Sequence, residues 1–549
     1  MTIAEAIGLA LQHHGAGRLA EAESIYRQIL SVHRQEENSL HLLGVIAHSR
    51  GQLQDAADLI GRAIAVNPGV GEFHNNLALV LTAQGKYEEA AAECRRALEL
   101  KPDSPEVHNN FGNALRSQGR LEEAIAAYRT ALRYRPAYVE AHNNLGVVLR
   151  SCKRMDEAIA ACRTALQLNP YFAEAYINLG TALKDHGEMD AALIAYQKAV
   201  QIKPDLAEGY NNIGDVLADS GQIDGAIAAF DRAIALKPDY VEAKFNCSLS
   251  LLLLGNFARG WPLYEARWAM VDKKPNFSQP MWDGRIVDGL SLLVHAEQGM
   301  GDSIQFIRYA KLAAARGAKV ISECPQTLVE LFRKVDGVAE IVTTGDPLPP
   351  FDLHVPMLSQ PLVFQTRRET IPGDVPYLFA DPIRCESWQR RFGQDRAGLR
   401  VGLAWAGNLE HSRTRWRNIS LEMLLPLLAM EGVNFYSLQI GSGAEQLQQF
   451  TGAETIIDYT TYINDFADTA AFMMGLDLVI SVDTAVAHLA GALGRVVWTL
   501  LPFVPDWRWG LEGDQTPWYP TMRLFRQRAA GEWSPVVGRV VNALTEWDK

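Results

Sequence analysis

The chain contains 549 residues, which is more than one hydrophobic core usually organises, so we expect about two to four domains. Hydrophobic residues make up 48% of it and charged residues 21%, which are fractions typical of globular proteins. The formal net charge of −12 disfavours nonspecific binding to nucleic acid, which needs a basic surface, but it is compatible with a local basic pocket.

The sequence shows no signal for export or membrane insertion. Its first residues lack a basic segment followed by a continuous apolar core, so no secretory signal is expected. The longest apolar run, from Leu249 to Leu254 with Ser250 inside it, is far shorter than a membrane-spanning helix. The six cysteines lack the spacing of metal-binding or redox motifs. We therefore predict a cytoplasmic protein with no membrane span and no nucleic-acid partner.

A 34-residue repeat dominates the first half of the chain. Asparagine recurs at that interval, at Asn76, Asn110, Asn144, Asn178, Asn212 and Asn246. Small residues that would let two helices approach closely share the register, at Gly44, Gly112, Gly146, Gly180 and Gly214. Glycine also marks the turn between the helices, except where Lys153 replaces it, and a proline closes each unit from Pro68 to Pro238.

Residues 1 to about 270 resemble the tetratricopeptide repeat family, whose unit is a pair of antiparallel helices with this period. About seven repeats and a final capping helix pair are expected. Such repeats stack into a superhelix, and the asparagine column falls on the helices that line its concave face. A carboxamide both donates and accepts hydrogen bonds, so the six asparagines are predicted to bind the backbone of a polypeptide. The alternative is that they bond neighbouring repeats to one another.

The pattern changes near Lys273. Residues 273–288 are polar, aperiodic and interrupted by proline, as expected of a linker. From Leu290 onward, apolar runs that predict strands alternate with segments that predict helices, and the alternation resumes after a break near Gln394. We predict an α + α/β fold, with a repeat solenoid over residues 1–272 and two Rossmann-like lobes over residues 289–393 and 394–549. Ligands are expected in a cleft between the lobes, at the carboxyl ends of the strands.

The first candidate site follows the first predicted strand, in the loop that contains Gly299, Gly301 and Asp302. Glycines there would allow close backbone approach, and the start of the next helix favours anions. Asp302 is either a helix N-cap or a general base at the interface between the lobes.

A second candidate begins at Gly407, after a predicted strand, and continues into three alternating arginines, Arg413, Arg415 and Arg417. This basic segment suits a phosphate-bearing ligand, and a solvated loop is the alternative. Gln439, at the end of the next predicted strand, is a candidate for the same cleft.

The third candidate, SVDTAVAHLAGALG, again runs from strand to turn to helix. Asp483 and Thr484 lie at the helix start and His488 one turn later, so backbone amides, a hydroxyl and an imidazole would converge on a diphosphate. An N-cap aspartate beside a packed histidine is the alternative. Three tryptophans nearby favour core packing over stacking on a sugar or a base: Trp507, Trp509 and Trp518.

Residues 285 to 530 resemble the heptosyltransferase-like glycosyltransferases, an inverting, metal-independent group with the GT-B fold, since DTAVAHLAGALG is similar to that family's DTGxxHLAAALG. The resemblance implies that Asp302 is the catalytic base and that Asp483, Thr484 and His488 bind the nucleotide diphosphate. An arginine, Arg415 or Arg417, would replace the family's phosphate-binding lysine. The full set predicted to bind the donor is Gly299, Gly301, Gly407, Arg415, Arg417, Gln439, Asp483, Thr484 and His488. Ala485 departs from the family's glycine, and the first lobe is short.

We therefore predict a protein O-glycosyltransferase that transfers a sugar from a nucleotide-sugar, its co-substrate, to Ser or Thr of a polypeptide held by the repeats. No cofactor and no metal site are expected, because no cluster of ligands has the required spacing. The plan is similar to that of nucleocytoplasmic O-GlcNAc transferases and of bacterial flagellin glycosyltransferases, so flagellin is a candidate acceptor. Two alternatives stay open: a transferase of lipopolysaccharide or exopolysaccharide assembly, and an adaptor whose transferase domain has lost activity.

Overall fold

The structure, a computed structural model, describes residues 2–271, 274–297, 299–407 and 417–547. The chain forms two compact units, Met1–Val216 and Leu217–Lys549. Helices build the first unit: α1 (Ile3–Gly15), α2 (Leu19–Val32), α3 (Glu37–Ser49), α4 (Leu53–Val66), α5 (Gly71–Ala83), α6 (Tyr87–Leu100), α7 (Pro105–Ser117), α8 (Leu121–Tyr134), α9 (Val139–Ser151), α10 (Met155–Leu168), α11 (Ala173–His186), α12 (Met189–Ile202) and α13 (Ala207–Asp219). The boundary between the units falls inside α13.

The two helices of a repeat pack through residues without bulky side chains. Alanine recurs at the 34-residue interval and is fully buried each time, at Ala56, Ala90, Ala124, Ala158, Ala192 and Ala226. A Cβ atom added to Gly112 would lie 2.6 Å from the ring of Tyr128, and one added to Gly146 would lie 2.5 Å from Sγ of Cys162. Both distances are shorter than packed atoms tolerate. The close approach of the helices that the glycine column predicts is therefore confirmed.

Each repeat turns between its helices through a residue in the left-handed region of backbone conformation. Gly85 and Gly119 have φ angles of 76° and 75°, which glycine adopts without a steric penalty. Lys153 occupies the same turn in the next repeat with φ of 58°, although it carries a Cβ atom. Because this conformation costs a non-glycine residue about 1 to 2 kcal/mol, the turn at Lys153 is strained.

The second unit starts with helices and continues into two lobes. The helices are α14 (Ile223–Leu236), α15 (Val241–Leu253) and α16 (Phe257–Tyr264). The first lobe contains β1 (Ser291–His295), α17 (Met300–Phe306), α18 (Ala310–Ala315), β2 (Lys319–Cys324), α19 (Val329–Phe332), β3 (Val338–Thr343), β4 (Leu353–Pro356) and α20 (Gln360–Val363). The second lobe contains α21 (Pro382–Phe392), β5 (Leu399–Ala404), α22 (Leu425–Leu428), β6 (Val433–Ser437), α23 (Gln446–Gln449), β7 (Ile456–Ile457), α24 (Phe466–Met474), β8 (Leu478–Val482), α25 (Ala485–Ala492), β9 (Val497–Leu501), β10 (Met522–Arg526) and α26 (Ser534–Thr545).

Both lobes are built on parallel sheets, with the strand orders β3-β2-β1-β4 and β10-β9-β8-β5-β6-β7. In each sheet the strand order reverses beside the first strand of the lobe, between β1 and β4 and between β5 and β8. A reversal of this kind leaves a crevice at the carboxyl ends of the strands, where ligands of such sheets bind. The predicted fold class, a helical repeat solenoid followed by two Rossmann-like parallel sheets, is confirmed.

The segment predicted as a linker packs against the first lobe. Trp282 is only 1% exposed, and its backbone N–H donates to the carbonyl oxygen of His354 in β4 at 2.8 Å. The backbone N–H of Val287 donates to the carbonyl oxygen of Arg316 at 2.8 Å. The described part of this segment therefore belongs to the core of the lobe that it precedes.

The capping helix α16 shares one hydrophobic core with both lobes. Trp261 on this helix is 3% exposed, and its ring meets the edge of Trp507 with the ring centres 5.2 Å apart. The indole N–H of Trp261 also donates to the carbonyl oxygen of Thr366 at 3.0 Å. Because these contacts are buried, α16 and the lobes form one folding unit.

Lys153→Gly is expected to raise the free energy of unfolding by about 1 kcal/mol, because glycine adopts a positive φ without strain. Thermal unfolding followed by circular dichroism measures the change. Gly119→Lys places the same side chain in the equivalent turn of the preceding repeat, and it should lower stability by a similar amount. A Lys153→Gly protein that is no more stable than the parent would contradict the strain assigned to this turn.

Candidate functional site

The two helix starts that the sequence motifs mark, those of α17 and α25, are in direct contact. A Cβ atom added to Gly301 would lie 2.9 Å from Cδ2 of His488 and 3.6 Å from Cα of Ala485. Because a side chain at position 301 would crowd this contact, glycine allows the approach. The carboxyl end of β1 in the first lobe therefore meets the carboxyl end of β8 in the second, and the predicted residues of both lobes come together there.

Asp302 lies in the first turn of α17, with its carboxylate at this contact. Gly299 occupies the N-cap position of the helix, so Asp302 is not the N-cap. Oδ1 of Asp302 accepts a hydrogen bond from Nη2 of Arg508, and the Asp302 side chain is 19% exposed. Burial raises the pKa of Asp302, and the charge of Arg508 opposes that rise. The carboxylate is thus paired and still partly accessible, as a general base must be.

Arg508 is a buried cation at the centre of the site, and sequence reasoning did not identify it. It is 8% exposed, its Nη1 atom donates to Oδ1 of Asp506 at 2.8 Å and its Nε atom donates to Oε1 of Gln305 at 2.6 Å. It lies in a 3₁₀ turn, Trp507–Trp509, that follows β9. A lone arginine between two tryptophans was its only signal, and nothing local links it to an aspartate 206 residues earlier.

Asp483 follows β8 and is 5% exposed. The N-cap position of α25 belongs to Thr484, whose hydroxyl lies 3.0 Å from that of Ser481. Oδ2 of Asp483 is 3.9 Å from Nη1 of Arg417, and its Oδ1 is 3.9 Å from Nε2 of His488. Burial raises the pKa of Asp483 to about 6. This carboxyl therefore keeps its proton to a higher pH than an exposed aspartate does.

His488 is a buried, neutral imidazole. Its Nδ1 atom lies 2.9 Å from the hydroxyl of Tyr519, and its ring stacks on that of Trp509 with the ring centres 5.2 Å apart. Burial lowers the pKa of His488 well below its usual value, and the charge of Arg508 adds to the effect. These contacts fit the packed-histidine alternative, and they leave Nε2 facing Asp483.

Gly407 and Arg417 lie beside Thr484, across the reversal between β5 and β8. The backbone N–H of Gly407 donates to Oδ1 of Asn418 at 2.9 Å. A Cβ atom added to Gly407 would lie 3.4 Å from Nη2 of Arg417 and 3.6 Å from Cγ2 of Thr484. The other candidate arginines of this segment lie outside the described residues: Arg413 and Arg415.

Gln439 supports the loop that carries Gly407. Its Oε1 atom accepts hydrogen bonds from the backbone N–H groups of Trp405 and Ala406, each at 2.9 Å. Its Nε2 atom donates to the carbonyl oxygens of Ala406 and Ser442 at 2.9 and 2.7 Å. Because the carboxamide is bound to the backbone on both sides, Gln439 acts on the site through the shape of this loop.

Buried donors without a partner surround the same place. Within the described part of the chain, Nε2 of Gln305 and Nε of Arg417 are buried and form no hydrogen bond. Leaving such donors unpaired is costly, and acceptor oxygens of a ligand would satisfy them.

The three tryptophans of this region are core residues. They are 5%, 2% and 1% exposed, in the order Trp507, Trp509 and Trp518. The rings of Trp507 and Trp518 meet edge to face with their centres 6.0 Å apart. Trp509 reaches the site through its stack on His488, so its packing positions a predicted binding residue.

The asparagine column of the first unit connects neighbouring repeats. Nδ2 of four of the asparagines donates to the preceding repeat: Asn110 to Oδ1 of Asn75 at 2.9 Å, Asn144 to Oδ1 of Asn109 at 3.0 Å, Asn178 to Oδ1 of Asn143 at 2.9 Å, and Asn76 to the ring of His41 at 2.8 Å. Asn212 follows a repeat with isoleucine at the acceptor position, and Asn246 lies on α15 in the second unit. The bonds between repeats that the alternative anticipates are thus present. They use one N–H of each carboxamide.

Comparison with known families identifies the repeats. A profile described as a TPR repeat matches residues 112–151, 181–220 and 214–255. Three profiles described as tetratricopeptide repeats match residues 41–105, 93–126 and 139–172. The predicted tetratricopeptide repeats are therefore confirmed.

The relatives include Protein FlbA of Caulobacter vibrioides, which is 29% identical over an alignment of 329 residues that covers 54% of this chain. The match spans only 54% of the length of FlbA as well. Similar solved structures include YrrB, a TPR protein with an unusual peptide-binding site, at 26% identity, a TM-score of 0.29 and coverage of 34% of this chain and 96% of YrrB. Pseudomonas aeruginosa pilF is similar at 23% identity, a TM-score of 0.34 and coverage of 38% of this chain and 95% of that one.

The described residues lack two features, a cluster of metal ligands and a membrane-spanning helix. Within the ranges given above, no group of three or more His, Cys, Asp or Glu side chains is arranged to hold a metal ion. None of the helices in those ranges is both long enough and apolar enough to cross a bilayer. Positive charges at the site include Arg417 beside Asp483, Arg508 on Asp302, and Arg308, which lies over the ring of Tyr519, the partner of His488.

Asp483→Asn is expected to stabilise the protein above about pH 7 and to have little effect below about pH 4. Asp483 has a pKa of about 6 when folded and 3.8 in its unperturbed state, so the folded form loses stability as the pH rises through that window. The expected gain is on the order of 2 to 3 kcal/mol, measured by chemical denaturation at several pH values.

The control for this prediction is Asp514→Asn, which removes a carboxylate that is 65% exposed. It should show no comparable gain at high pH. Equal effects of Asp483→Asn at both ends of the pH range would mean that the Asp483 carboxyl does not titrate in this window.

Proposed function

We propose that the second unit transfers a sugar from a nucleotide-sugar donor to a hydroxyl group of a protein acceptor, with inversion at the anomeric carbon. The contact between α17 and α25 carries the proposal, because it brings the helix of Asp302 against His488, whose Nε2 atom lies 3.9 Å from Oδ1 of Asp483. Ligands of parallel sheets bind at this edge. A site shared by two lobes suits a reaction of two substrates, with one substrate on each lobe.

The donor binds on the second lobe in this proposal, with its diphosphate at the N-terminus of α25. Unpaired backbone N–H groups and the helix dipole favour an anion at that position. Thr484 contributes a hydroxyl and Arg417 a cation beside it. These groups would stabilise the negative charge that develops on the departing nucleoside diphosphate.

Asp302 is the general base of the proposed reaction. The acceptor oxygen forms a bond to the anomeric carbon while the bond from that carbon to the diphosphate breaks. The proton of the acceptor hydroxyl passes to the Asp302 carboxylate. The partial exposure of Asp302 gives the acceptor access, and its bond to Arg508 favours the ionised form that accepts the proton.

The tetratricopeptide repeats support a protein-interaction role for the chain. We assign the acceptor polypeptide to the asparagine column. After their bonds between repeats, Asn110, Asn144 and Asn178 each keep a second N–H group and a carbonyl oxygen. The backbone of an extended peptide offers the complementary carbonyl and N–H groups. Flagellin is one acceptor protein to assay.

A non-catalytic adaptor is the second candidate, and the burial of the site favours it. Asp483 and His488 are each 5% exposed, and Asp302 already has a partner in Arg508. In an adaptor these groups would serve to hold the two lobes together. A transferase of lipopolysaccharide or exopolysaccharide assembly would need the catalytic residues and would not need the asparagine column.

Binding of the correct nucleotide-sugar is expected to raise the unfolding temperature, because a ligand that binds only the folded state stabilises it. A panel of UDP-, GDP-, ADP- and CMP-linked sugars identifies the donor. Asp302→Asn should keep this shift and should slow sugar transfer about a hundredfold or more, measured by the mass of the acceptor protein.

His488→Ala should reduce the shift, whereas the exposed control Arg523→Gln should leave both readouts unchanged. A wild-type protein that no donor stabilises would favour the adaptor. Full transfer by Asp302→Asn would remove Asp302 from the mechanism, and transfer to a saccharide in place of a protein would favour the polysaccharide alternative.

The triple variant Asn110→Ala, Asn144→Ala, Asn178→Ala is expected to weaken binding of the acceptor polypeptide on the order of a hundredfold, since each lost hydrogen bond is worth about 1 kcal/mol. Titration calorimetry measures the affinity, and the unfolding temperature of the same variant shows what the bonds between repeats contribute.

The matched control carries Glu99→Ala and Gln167→Ala, two exposed positions on the second helices of repeats. Unchanged affinity in the triple variant, with a lower unfolding temperature, would reduce the asparagines to bonds between repeats.

A further inference from the structure

A three-residue turn, Trp507–Trp509, sends its side chains to three different parts of the second unit. Trp507 packs on the capping helix α16, Arg508 reaches the first lobe, and Trp509 contacts the second lobe. The reaction proposed above uses none of these side chains as a reacting group. Because three consecutive residues share one backbone turn, their positions are linked.

Trp507 anchors the turn to the capping helix. Its side chain is 5% exposed, and its ring meets Trp261 at an interplanar angle of 88° and Tyr264 with the ring centres 6.3 Å apart. Edge-to-face pairs of this kind stabilise beyond the area that they bury. The anchor comes from α16, the last helix before the lobes.

Arg508 is oriented before it meets Asp302. Asp506 and Gln305 accept hydrogen bonds from Nη1 and Nε, so two edges of the guanidinium are held and Nη2 is directed at the carboxylate. The guanidinium also lies over the Trp507 ring, 4.4 Å from its centre. A buried charge is expensive to keep, so this degree of orientation favours a role beyond packing.

Trp509 completes the arrangement on the other side of the site. Its ring lies nearly parallel to that of His488, at an interplanar angle of 26°. The turn thus contacts the proposed base and one proposed donor-binding residue at the same time.

We propose that Arg508 is a positioning residue for Asp302, and that the turn Trp507–Trp509 sets the catalytic carboxylate and His488 relative to one another from its anchor on α16. This inference rests on the proposed function, since it gives Asp302 the role of base. Arg508 keeps the carboxylate ionised and fixes which oxygen faces the acceptor.

Several charged or titratable groups face Asp302, and Arg508 is the one bonded to it. The set comprises Arg508 from the turn, Asp506 immediately before it, Arg417 from the loop after β5 and Tyr264 from α16, and His488 of α25 lies against the neighbouring Gly301. Arg508 and Arg417 lower the pKa of Asp302, whereas Asp506 raises it. Removing Arg508 should therefore raise the pKa of the carboxyl, by about one unit or more.

The test compares Arg508→Gln and Arg508→Lys with the wild-type chain. Transfer needs ionised Asp302, so the acidic limb of its pH profile should move upward by about one pH unit in Arg508→Gln and should return toward the wild-type position in Arg508→Lys. Arg523→Gln removes an exposed arginine and should leave the profile unchanged.

A second readout does not depend on activity. The difference in unfolding temperature between the wild-type chain and Asp302→Asn reports the protonation of Asp302 as the pH changes. The difference in unfolding temperature between Arg508→Gln and the double variant Arg508→Gln, Asp302→Asn should begin to change at a higher pH than the difference between the wild-type chain and Asp302→Asn. If Arg508→Gln does not fold, Arg508→Lys and Asp506→Asn are compared in its place. The limb should lie above the wild-type position by less than about one pH unit in Arg508→Lys, which keeps the charge without the fixed fork of the guanidinium, and below it in Asp506→Asn.

The outcomes separate the two proposals. If Arg508→Gln changes neither the pH profile of transfer nor the pH dependence of the unfolding-temperature difference, the positioning role is overturned while the proposed function stands. A wild-type chain that transfers no sugar would overturn the proposed function, and with it Asp302 as a base. Movement of both readouts in Arg508→Gln with rescue by Arg508→Lys supports the positioning role.

Discussion

The close approach of α17 and α25 at Gly301 is the constraint on which the candidate site depends. Any side chain at position 301 would collide with the ring of His488. Without the contact between Gly301 and His488, Asp302 would not face the second lobe. The approach brings carboxylates and guanidinium groups into a confined space, where each charge needs a partner. Arg508 supplies that partner for Asp302, and Arg417 lies near Asp483. The chemistry proposed for the site follows from how these charges are paired.

The same region explains why the capping helix belongs with the lobes. Trp261 and Tyr264 of α16 pack on Trp507, whose neighbour Arg508 holds Asp302. The array of repeats therefore ends in a helix that is part of the core around the candidate site. In the first unit, the asparagines have a structural task as well, because Asn110, Asn144 and Asn178 bond the preceding repeat. A carboxamide has enough donors and acceptors to do this and still bind a peptide.

Much of the fold and part of the site were predictable. The repeat register could be predicted because its contacts join residues about one repeat apart or closer, as in the bond from Asn144 to Asn109. The motifs around Asp302 and Asp483 were also predictable, since a strand, a turn and a helix start are local features. The packing of residues 274–288 against the first lobe was missed, because a polar, aperiodic segment gives no sign of the few buried anchors, such as Trp282, that fix it.

By itself the sequence determined the 34-residue helical repeat, the two parallel sheets and the loops that carry the candidate residues, because hydrophobic periodicity and turn residues act over short distances along the chain. Only the tertiary structure decided which loops meet. It placed Arg508 on Asp302 across 206 positions and bound the carboxamide of Gln439 to the backbone of Trp405 and Ala406. The physical reason is that a charged side chain finds its partner through the packing of whole lobes, and no pattern within a single segment encodes that packing.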